Sequence, residues 1–426
     1  MVRFALTGAA GGFARTLLAQ SALSKRVEPV VLCDRDTAKV MALCADLGYS
    51  TNRLHICGSI EDLRALPADG IAIVAEIDML DQATFEVLVE ATGSPVAGAS
   101  AARDAISRHQ HVVMVSKEVE SVSGVELAQH ARQNGVVYTP AHGDQPANLV
   151  EWYEKVTDWG LEVVALGKSG EYDLVYSPGE GTLTYLDQTI AAPGMGDLLY
   201  LGQDVADTLA RRARLAAALP RKAAADYCEM AVVASWTGAK ADVEGMHYPI
   251  ARIQELADVY STREDGGILH APGVVDVFSA LRVEGEASFG GGVFVVVRTH
   301  DSETWEILRG KGHVVSRDGR FACLYLPYHL MGVETVQTIF AAAQGQAVSD
   351  RMPTSHVMLA GRAEKDLPAG TVLHMGGHHH DVEGVSPVLL NISESSDASV
   401  APLYFAAHRT LSRDVGQGQL ITVQDL

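Results

Sequence analysis

The chain has 426 residues, 47% apolar and 20% charged, which suits two or three globular domains with cores of their own. Its 33 basic and 53 acidic residues give a formal charge of −20, and no basic run exceeds that in "PRK", so nucleic acid and anionic membranes are excluded as partners. Cys33, Cys44, Cys57, Cys228 and Cys323 are scattered without a C-x-x-C pair, and "MVRFALTGAAGG" has no apolar leader, so reduced core cysteines, a cytoplasmic location and no membrane span are expected.

In chain order, "VRFALT" (2–7) predicts a strand and "GAAGGFARTLLAQSAL" a glycine turn running into a helix. "PVVLCDRD" (29–36) predicts a strand, "TAKVMALCADLG" a helix, "GIAIVAEID" (70–78) a strand, "DQATFEVLVEATGS" a helix and "HVVMVS" a strand. "GVVYTPAHGDQP" (135–146) ends the series as a short strand and a polar loop. Continuous apolar strands alternating with helices imply a doubly wound parallel sheet covered on both faces, hence an α/β protein.

From about residue 160 the pattern changes. A strand in "EVVALGKSGEYD" (162–173), a helical stretch over 205–238 broken at Pro220, and a strand in "GGGVFVVVRTHD" (290–301) predict an α+β substrate domain. Short strands between Gly and Pro turns, from "VMLAGRAEKDLPAGTVLHMGG" to "LSRDVGQGQLITVQDL", predict a small all-β domain at the end. The expected boundaries are 1–158, 159–348 and 349–426.

Gly8, Gly11 and Gly12 allow a tight turn and close approach of a pyrophosphate to the start of the first helix, with Ala10 and Phe13 in the same turn. Asp34 closes the second strand, where a carboxylate accepts hydrogen bonds from the adenosine ribose of NAD. Arg35 beside it can pair with a 2′-phosphate and admit NADP. A solvated strand end is the structural alternative for this "DRD" segment.

Ligands of such sheets lie beyond the carboxyl ends of the strands, so "EATGSP" (90–95, with Thr92 and Gly93), "SKE" (116–118, with Ser116 and Lys117) and "AHGDQP" (141–146, with Asp144) should face a nicotinamide. Lys117 can polarise a substrate oxygen or hold the cofactor carboxamide, or else be a solvated strand cap. Asp144 can be a general base, a metal ligand or a turn residue. Lys168 follows its strand as Lys117 does, and two lysines around one oxyanion would suit a hydroxyl–carbonyl interconversion. Asp226 and Glu229, one helical turn apart, can bind a divalent metal or a substrate cation, or form a solvated helix face. His247, Tyr328, His329, Glu334 and the "GGHHHD" run (376–381) are weaker candidates, the last for adventitious metal.

The motifs "VSKE", "GDQP", "ALGK", "EMAVVASWTG…DVEGMH", "GGGVFVVVR", "LPYHLMGVET" and "LSRDVGQGQLITVQDL" resemble homoserine-dehydrogenase-like oxidoreductases with a C-terminal SAF domain, which include the 1-deoxy-D-xylulose 5-phosphate reductoisomerase-like enzymes. The resemblance implies a Rossmann domain, a catalytic domain that also mediates homo-oligomer contacts, and a β-clip SAF module. It implies reduction or reductive isomerisation of a small polyhydroxy or keto substrate with NAD or NADP, a divalent metal being a further candidate cofactor. Lys117, Lys168 and Glu229 are the positions carried over. The rival readings are a homoserine-type dehydrogenase with simple hydride transfer, and a non-catalytic NAD(P) sensor with a carbohydrate-binding SAF module.

Overall fold

Seven apolar runs near the N-terminus become strands β1 (Val2–Thr7), β2 (Val27–Cys33), β3 (Leu54–Ile56), β4 (Ile71–Val74), β5 (Val87–Glu90), β6 (His111–Met114) and β7 (Tyr138–Pro140). This is a computed structural model and describes residues 1–377, 379–393 and 399–426. Every residue of β4 and β5 is buried, as a sheet covered on both faces requires. The strands pair in parallel in the order β3-β4-β2-β1-β5-β6-β7. Between them lie α1 (Gly12–Leu23), α2 (Thr37–Asp46), α3 (Ile60–Arg64), α4 (Pro95–Ser107) and α5 (Lys117–Gln133). The order reverses between β1 and β5, and their carboxyl ends flank the crevice at which this fold binds dinucleotides.

One expected helix is corrected. "DQATFEVLVEATGS" carries β5, not a helix, and the helix follows it as α4, with Ser94 capping and Pro95 in the first turn. Phe85, Leu88 and Val89 imitate helical spacing, yet the run Val87–Val89 is fully buried and pairs with β1 on one side and β6 on the other. Tertiary pairing overrides the local period.

The chain divides into two units, Met1–Asn148 with Leu330–Thr354, and Leu149–His329 with Ser355–Leu426. The return segment carries the helix Thr335–Ala343, whose Val336, Ile339 and Ala342 fill the first unit's core beside Leu6, Leu17 and Val89. Gly143 admits this segment: its φ is +87°, and a Cβ there would lie 2.5 Å from the Leu330 carbonyl oxygen. The helix α6 (Gln145–Asp158) runs on past the "AHGDQP" loop.

In the second unit, β8 (Val163–Ser169), β9 (Leu174–Ser177), β10 (Thr182–Tyr185), β11 (Gln188–Ala191), β12 (Lys240–Ala241), β13 (Ile250–Ala251), β14 (Val274–Val283), β15 (Val293–Arg298), β16 (Val314–Val315) and β17 (Phe321–Leu326) form a mixed sheet. Its main order is β11-β10-β9-β14-β8-β15-β17-β16, and β12 and β13 also pair with β14. The long helical stretch divides at Pro220 as expected, into α7 (Val205–Leu215) and α8 (Ala224–Thr237). Apolar residues surround α8 and only Ala225 and Ser235 of it are not buried, which marks a core helix. Strands β18 (Val357–Ala363), β19 (Met375–Gly376), β20 (Asp381–Val382) and β21 (Val385–Asn391) form the expected small sheet, antiparallel in the order β18-β21-β20-β19. It lies within the second unit, not as a unit of its own. His378 of the histidine run is outside the described residues.

The five cysteines are buried and none is in a disulfide. Burial pushes the Cys33 thiol up to about 12, with Asp34 and Glu76 adding to the shift, so it stays protonated. Among the described residues no helix is long and apolar enough to cross a membrane.

Arg212 on α7 is fully buried and donates to both Glu255 oxygens at 2.6 and 2.9 Å, to the Leu198 carbonyl at 2.8 Å and to the Ile250 carbonyl at 3.0 Å. Removing Glu255 leaves a buried guanidinium uncompensated. Glu255→Ala should therefore cost about 3–5 kcal/mol, read from urea unfolding of the purified chain.

Candidate functional site

The glycine turn joins β1 to α1. Gly8 has φ +65°, and a Cβ there would lie 2.1 Å from the Ala91 carbonyl oxygen, so only glycine lets β1 and β5 close up at their carboxyl ends. Gly11 is the N-cap of α1 without a side-chain bond, and the space at Gly12 is open to 4 Å. No acidic residue occupies the first turn of α1, which leaves its amides and dipole for an anion. Ala10 N–H donates to Asp34 Oδ2 at 2.9 Å and Asp36 N–H to Oδ1 at 3.0 Å, so the carboxylate is drawn over the turn rather than into solvent. Phe13 is half-buried and Arg35 exposed. These residues fit a dinucleotide: the turn for its pyrophosphate, Asp34 for its ribose, and Arg35 open to a 2′-phosphate.

The next two loops are tied together. Gly93 N–H donates to Ser116 Oγ at 2.8 Å, and Ser94 N–H to Thr92 Oγ1 at 3.1 Å. Glu90, the first residue of "EATGSP" and not singled out there, ends β5 fully buried, and its Oε1 accepts from Thr7 Oγ1 at 3.2 Å and Thr92 N–H at 2.9 Å. Burial raises its pKa despite these bonds. Its only signal in the sequence was a carboxylate closing a buried strand.

Lys117 is the first residue of α5 and half-buried, with Glu118 and Glu120 in the same turn. A cation at a helix N-terminus opposes the macrodipole. Asp144 lies just before α6, where its Oδ1 accepts from Gln145 N–H at 3.0 Å and its carbonyl from Asn148 N–H at 3.3 Å. Such a carboxylate suits a helix start. Glu334 accepts from Asn148 Nδ2 at 3.0 Å, behind the same loop.

The second unit gathers a buried charge cluster. Lys168 on β8, 1% exposed, bonds Asp226 Oδ1 at 2.7 Å and Glu229 Oε2, both reaching it from one face of α8. A solvated face for this carboxylate pair is thereby corrected, and an ammonium stands between them. Tyr248 O–H donates to Asp226 Oδ2. Burial, then the Asp226 charge, pushes this phenol well above its ordinary range, so it remains a donor. Asp276 on β14 accepts from the N–H groups of His247, Tyr248 and Val277, and burial raises it to about 6. Tyr248 and Asp276 were missed, because their partners are distant in sequence. Tyr328 is exposed, and His329 Nδ1 lies 3.1 Å from the Gly291 carbonyl oxygen.

The C-terminal sheet reaches the same helix. Ala223, the N-cap of α8, makes no side-chain cap, and Ala224 N–H instead donates to Asp381 Oδ1 at 2.9 Å and Ala225 N–H to the His379 carbonyl at 3.1 Å. The turn after the histidine run thus closes the helix that bears Asp226 and Glu229. Lys222, Tyr227, Gly245, Asp381 and Ser386 line a cavity of about 570 Å³ beside it.

Residues 143–335 match the family described as Oxidoreductase DRL, catalytic domain, and residues 7–140 the one described as Homoserine dehydrogenase, NAD binding domain. The two matches set an NAD-binding region ahead of an oxidoreductase catalytic region, so the chain carries the parts of an NAD(P)-dependent oxidoreductase. Both descriptions are of enzymes, which leaves the sensor reading unsupported. Among solved structures, this chain is similar to a DOX-P reductoisomerase described with fosmidomycin and magnesium, at 14% identity over 83% of this chain and 72% of that one, with a TM-score of 0.37. It is also similar to a dehydrogenase from Chromobacterium violaceum, at 16% identity over 40% of this chain and 45% of that one, with a TM-score of 0.29. For the WlbA dehydrogenase from Bordetella pertussis, in complex with NADH and UDP-GlcNAcA, the values are 18%, 41%, 48% and 0.29. The chain therefore spans less than half the length of these last two dehydrogenases. Likeness at this level assigns no residue a role. No curated protein matches the chain.

Asp381→Ala removes the side chain that caps Ala224 N–H at the start of α8 and should cost about 1 kcal/mol. Faster hydrogen exchange of the Ala224–Cys228 amides would check it, and unchanged exchange would contradict the assignment. Glu90 binds its proton more tightly in the folded chain than in the unfolded one, so the stability it contributes is complete at low pH and lost as pH rises through the raised value. Glu90→Gln should lower the difference in unfolding free energy between about pH 5 and about pH 8.

Proposed function

We propose that this chain is a reductoisomerase of the 1-deoxy-D-xylulose 5-phosphate reductoisomerase-like type, acting on a small phosphorylated polyhydroxy ketone. The observation that carries the reading is the buried Lys168–Asp226–Glu229 cluster with Tyr248 on its flank. A carbon shift within a ketose needs a proton taken from one oxygen while a neighbouring carbonyl is polarised, and an ammonium held between carboxylates beside a phenol supplies both functions in one place. Bound NAD(P) supplies the hydride. Gly8, Ala10, Gly11, Gly12, Phe13 and Asp34 hold its adenosine and pyrophosphate end in this reading, and Thr92, Gly93, Ser116 and Lys117 its nicotinamide end. Lys117 stabilises developing negative charge on the substrate oxygen, while Asp144 fixes the loop that follows β7.

A phosphate on the substrate is supported by Arg221 and Lys222. Arg221 is half-buried, and burial lowers its pKa. Its Nη1 donates to Ser279 Oγ at 2.9 Å and weakly to the Tyr248 carbonyl, and no carboxylate is ion-paired with it among the described residues. Lys222 lies over the Tyr248 ring, 5.1 Å from its centre, so one cation packs on the phenol that binds Asp226 and the other on the backbone of the same residue. A dianionic group is the natural partner of two such neighbours. The C-terminal sheet, in its expected identity as a SAF module, serves here to close α8. Homo-oligomerisation through the catalytic domain belongs to the same proposal.

Simple hydride transfer is the second reading, favoured by the homoserine dehydrogenase match at residues 7–140. Incubation with NADH or NADPH and 1-deoxyketose 5-phosphates, followed by nuclear magnetic resonance of the product, separates the two. A rearranged carbon skeleton is expected. Cofactor oxidation with an intact skeleton would overturn the isomerase in favour of the dehydrogenase. Lys117→Met should lower kcat by about two orders of magnitude and leave nicotinamide-cofactor affinity largely intact, and unchanged turnover would remove its assigned role.

A further inference from the structure

We propose that Asp242, His247 and His270 form a binding site for a borderline divalent transition-metal ion, zinc being the type ion. Asp242 follows β12, His247 lies in the loop between β12 and β13, and His270 stands shortly before β14. His247 Nε2 is 2.7 Å and His270 Nδ1 2.9 Å from the same oxygen, Asp242 Oδ2, and one ligand atom from each residue lies within 4.8 Å of the others. His270 N–H also donates to both Asp242 oxygens, at 3.1 Å. Oδ2 therefore meets three donors with two in-plane lone pairs, which over-fills it as a hydrogen-bond acceptor. With two imidazole nitrogens 2.7 and 2.9 Å from one carboxylate oxygen, a small outward shift of these groups would place all three about a single ion.

The backbone aims these groups. Met246 and Tyr248, on either side of His247, both take left-handed conformations at φ 45° and 51°, which non-glycine residues rarely adopt. Asp276 holds that conformation by accepting the N–H groups of His247, at 3.0 and 3.2 Å, and Tyr248, at 3.2 Å. The result turns the His247 ring toward the almost fully buried Asp242 side chain, with the His270 ring stacked against it at 6.3 Å. Strain spent on directing one imidazole to a carboxylate and a second imidazole is hard to account for by core packing, since the His270 side chain is 49% exposed.

Two imidazoles and one carboxylate select zinc, iron, cobalt or nickel over magnesium and calcium, which prefer oxygen throughout. Three protein ligands leave positions open, on the side where His270 meets solvent, so the ion can take an exogenous oxygen or nitrogen ligand. Because His247 adjoins Tyr248, an ion here would also lock the phenol that binds Asp226. The site stands apart from the reductoisomerase reading and survives its failure.

The test is titration of the full chain, freed of metal by a chelator and dialysed, with cobalt(II) chloride followed by its visible d–d bands and with zinc chloride by calorimetry. One equivalent is expected, with affinity falling as pH drops below about 6, where protons compete for imidazole. His270→Ala, at a half-exposed ring, should weaken binding at least about tenfold, as should Asp242→Asn. The double variant His379→Gln with His380→Gln should bind as the parent does. Absence of binding by the parent overturns the proposal. So does binding that survives His270→Ala and is lost in the double variant, which would place the ion on the histidine run.

Discussion

The second unit is organised around the withdrawal of one ammonium and two carboxylates from water. Lys168, Asp226 and Glu229 have side chains 1%, 5% and 3% exposed, and burying unpaired charge at that depth costs several kcal/mol per ion. Every element around them is consequently positioned. Lys168 sits on an inner strand, opposite Val277 of β14 and Val293 of β15, so the strand cannot slide. The carboxylates come from a helix buried almost all round, at a spacing that gives them one face. Tyr248 satisfies the second oxygen of Asp226 from a loop in strained conformation, and Asp276 keeps that conformation in place. The closing part of the chain supplies the cap that α8 lacks.

The first unit solves a different problem, the approach of two backbones. At the carboxyl ends of β1 and β5 the Gly8 Cα faces the Ala91 carbonyl, and any side chain would force them apart. The same closeness leaves the start of α1 uncapped and draws Asp34 over the turn. A dinucleotide would then supply the negative charge that α1 lacks. Lys117 is the mirror case, a cation in the first turn of α5, where the helix dipole disfavours positive charge.

Much of the site was legible because it sits at punctuation in the sequence. Gly8, Asp34, Thr92, Gly93, Ser116 and Lys117 all lie where an apolar run ends, and strand ends in a doubly wound sheet are addresses as well as boundaries. Lys168 was found in the same way, and Asp226 and Glu229 by their helical spacing. Their common partner was not legible, since an i, i+3 pair of carboxylates reads the same on a wet face as in a core. Tyr248 and Asp276 carry no local mark, and the partners of Glu90 and Asp381 could not be read from the segments that hold them. The contact that matters here joins residues far apart in the chain, as in the Asp381 cap on Ala224.

From its sequence alone the chain determined its class: parallel α/β first, mixed α+β next, short strands last, because hydrophobic period and Gly and Pro punctuation are local properties of each segment. Only the tertiary structure decided that residues 87–90 are a central strand despite helical spacing, since their two neighbours lie elsewhere in the chain. It also decided that Thr335–Ala343 returns to the first core, that the closing sheet caps α8, and that Asp242, His247 and His270 meet. Sequence patterns record which face of an element is apolar; which partner covers that face, and which charges meet beneath it, is settled by long-range packing.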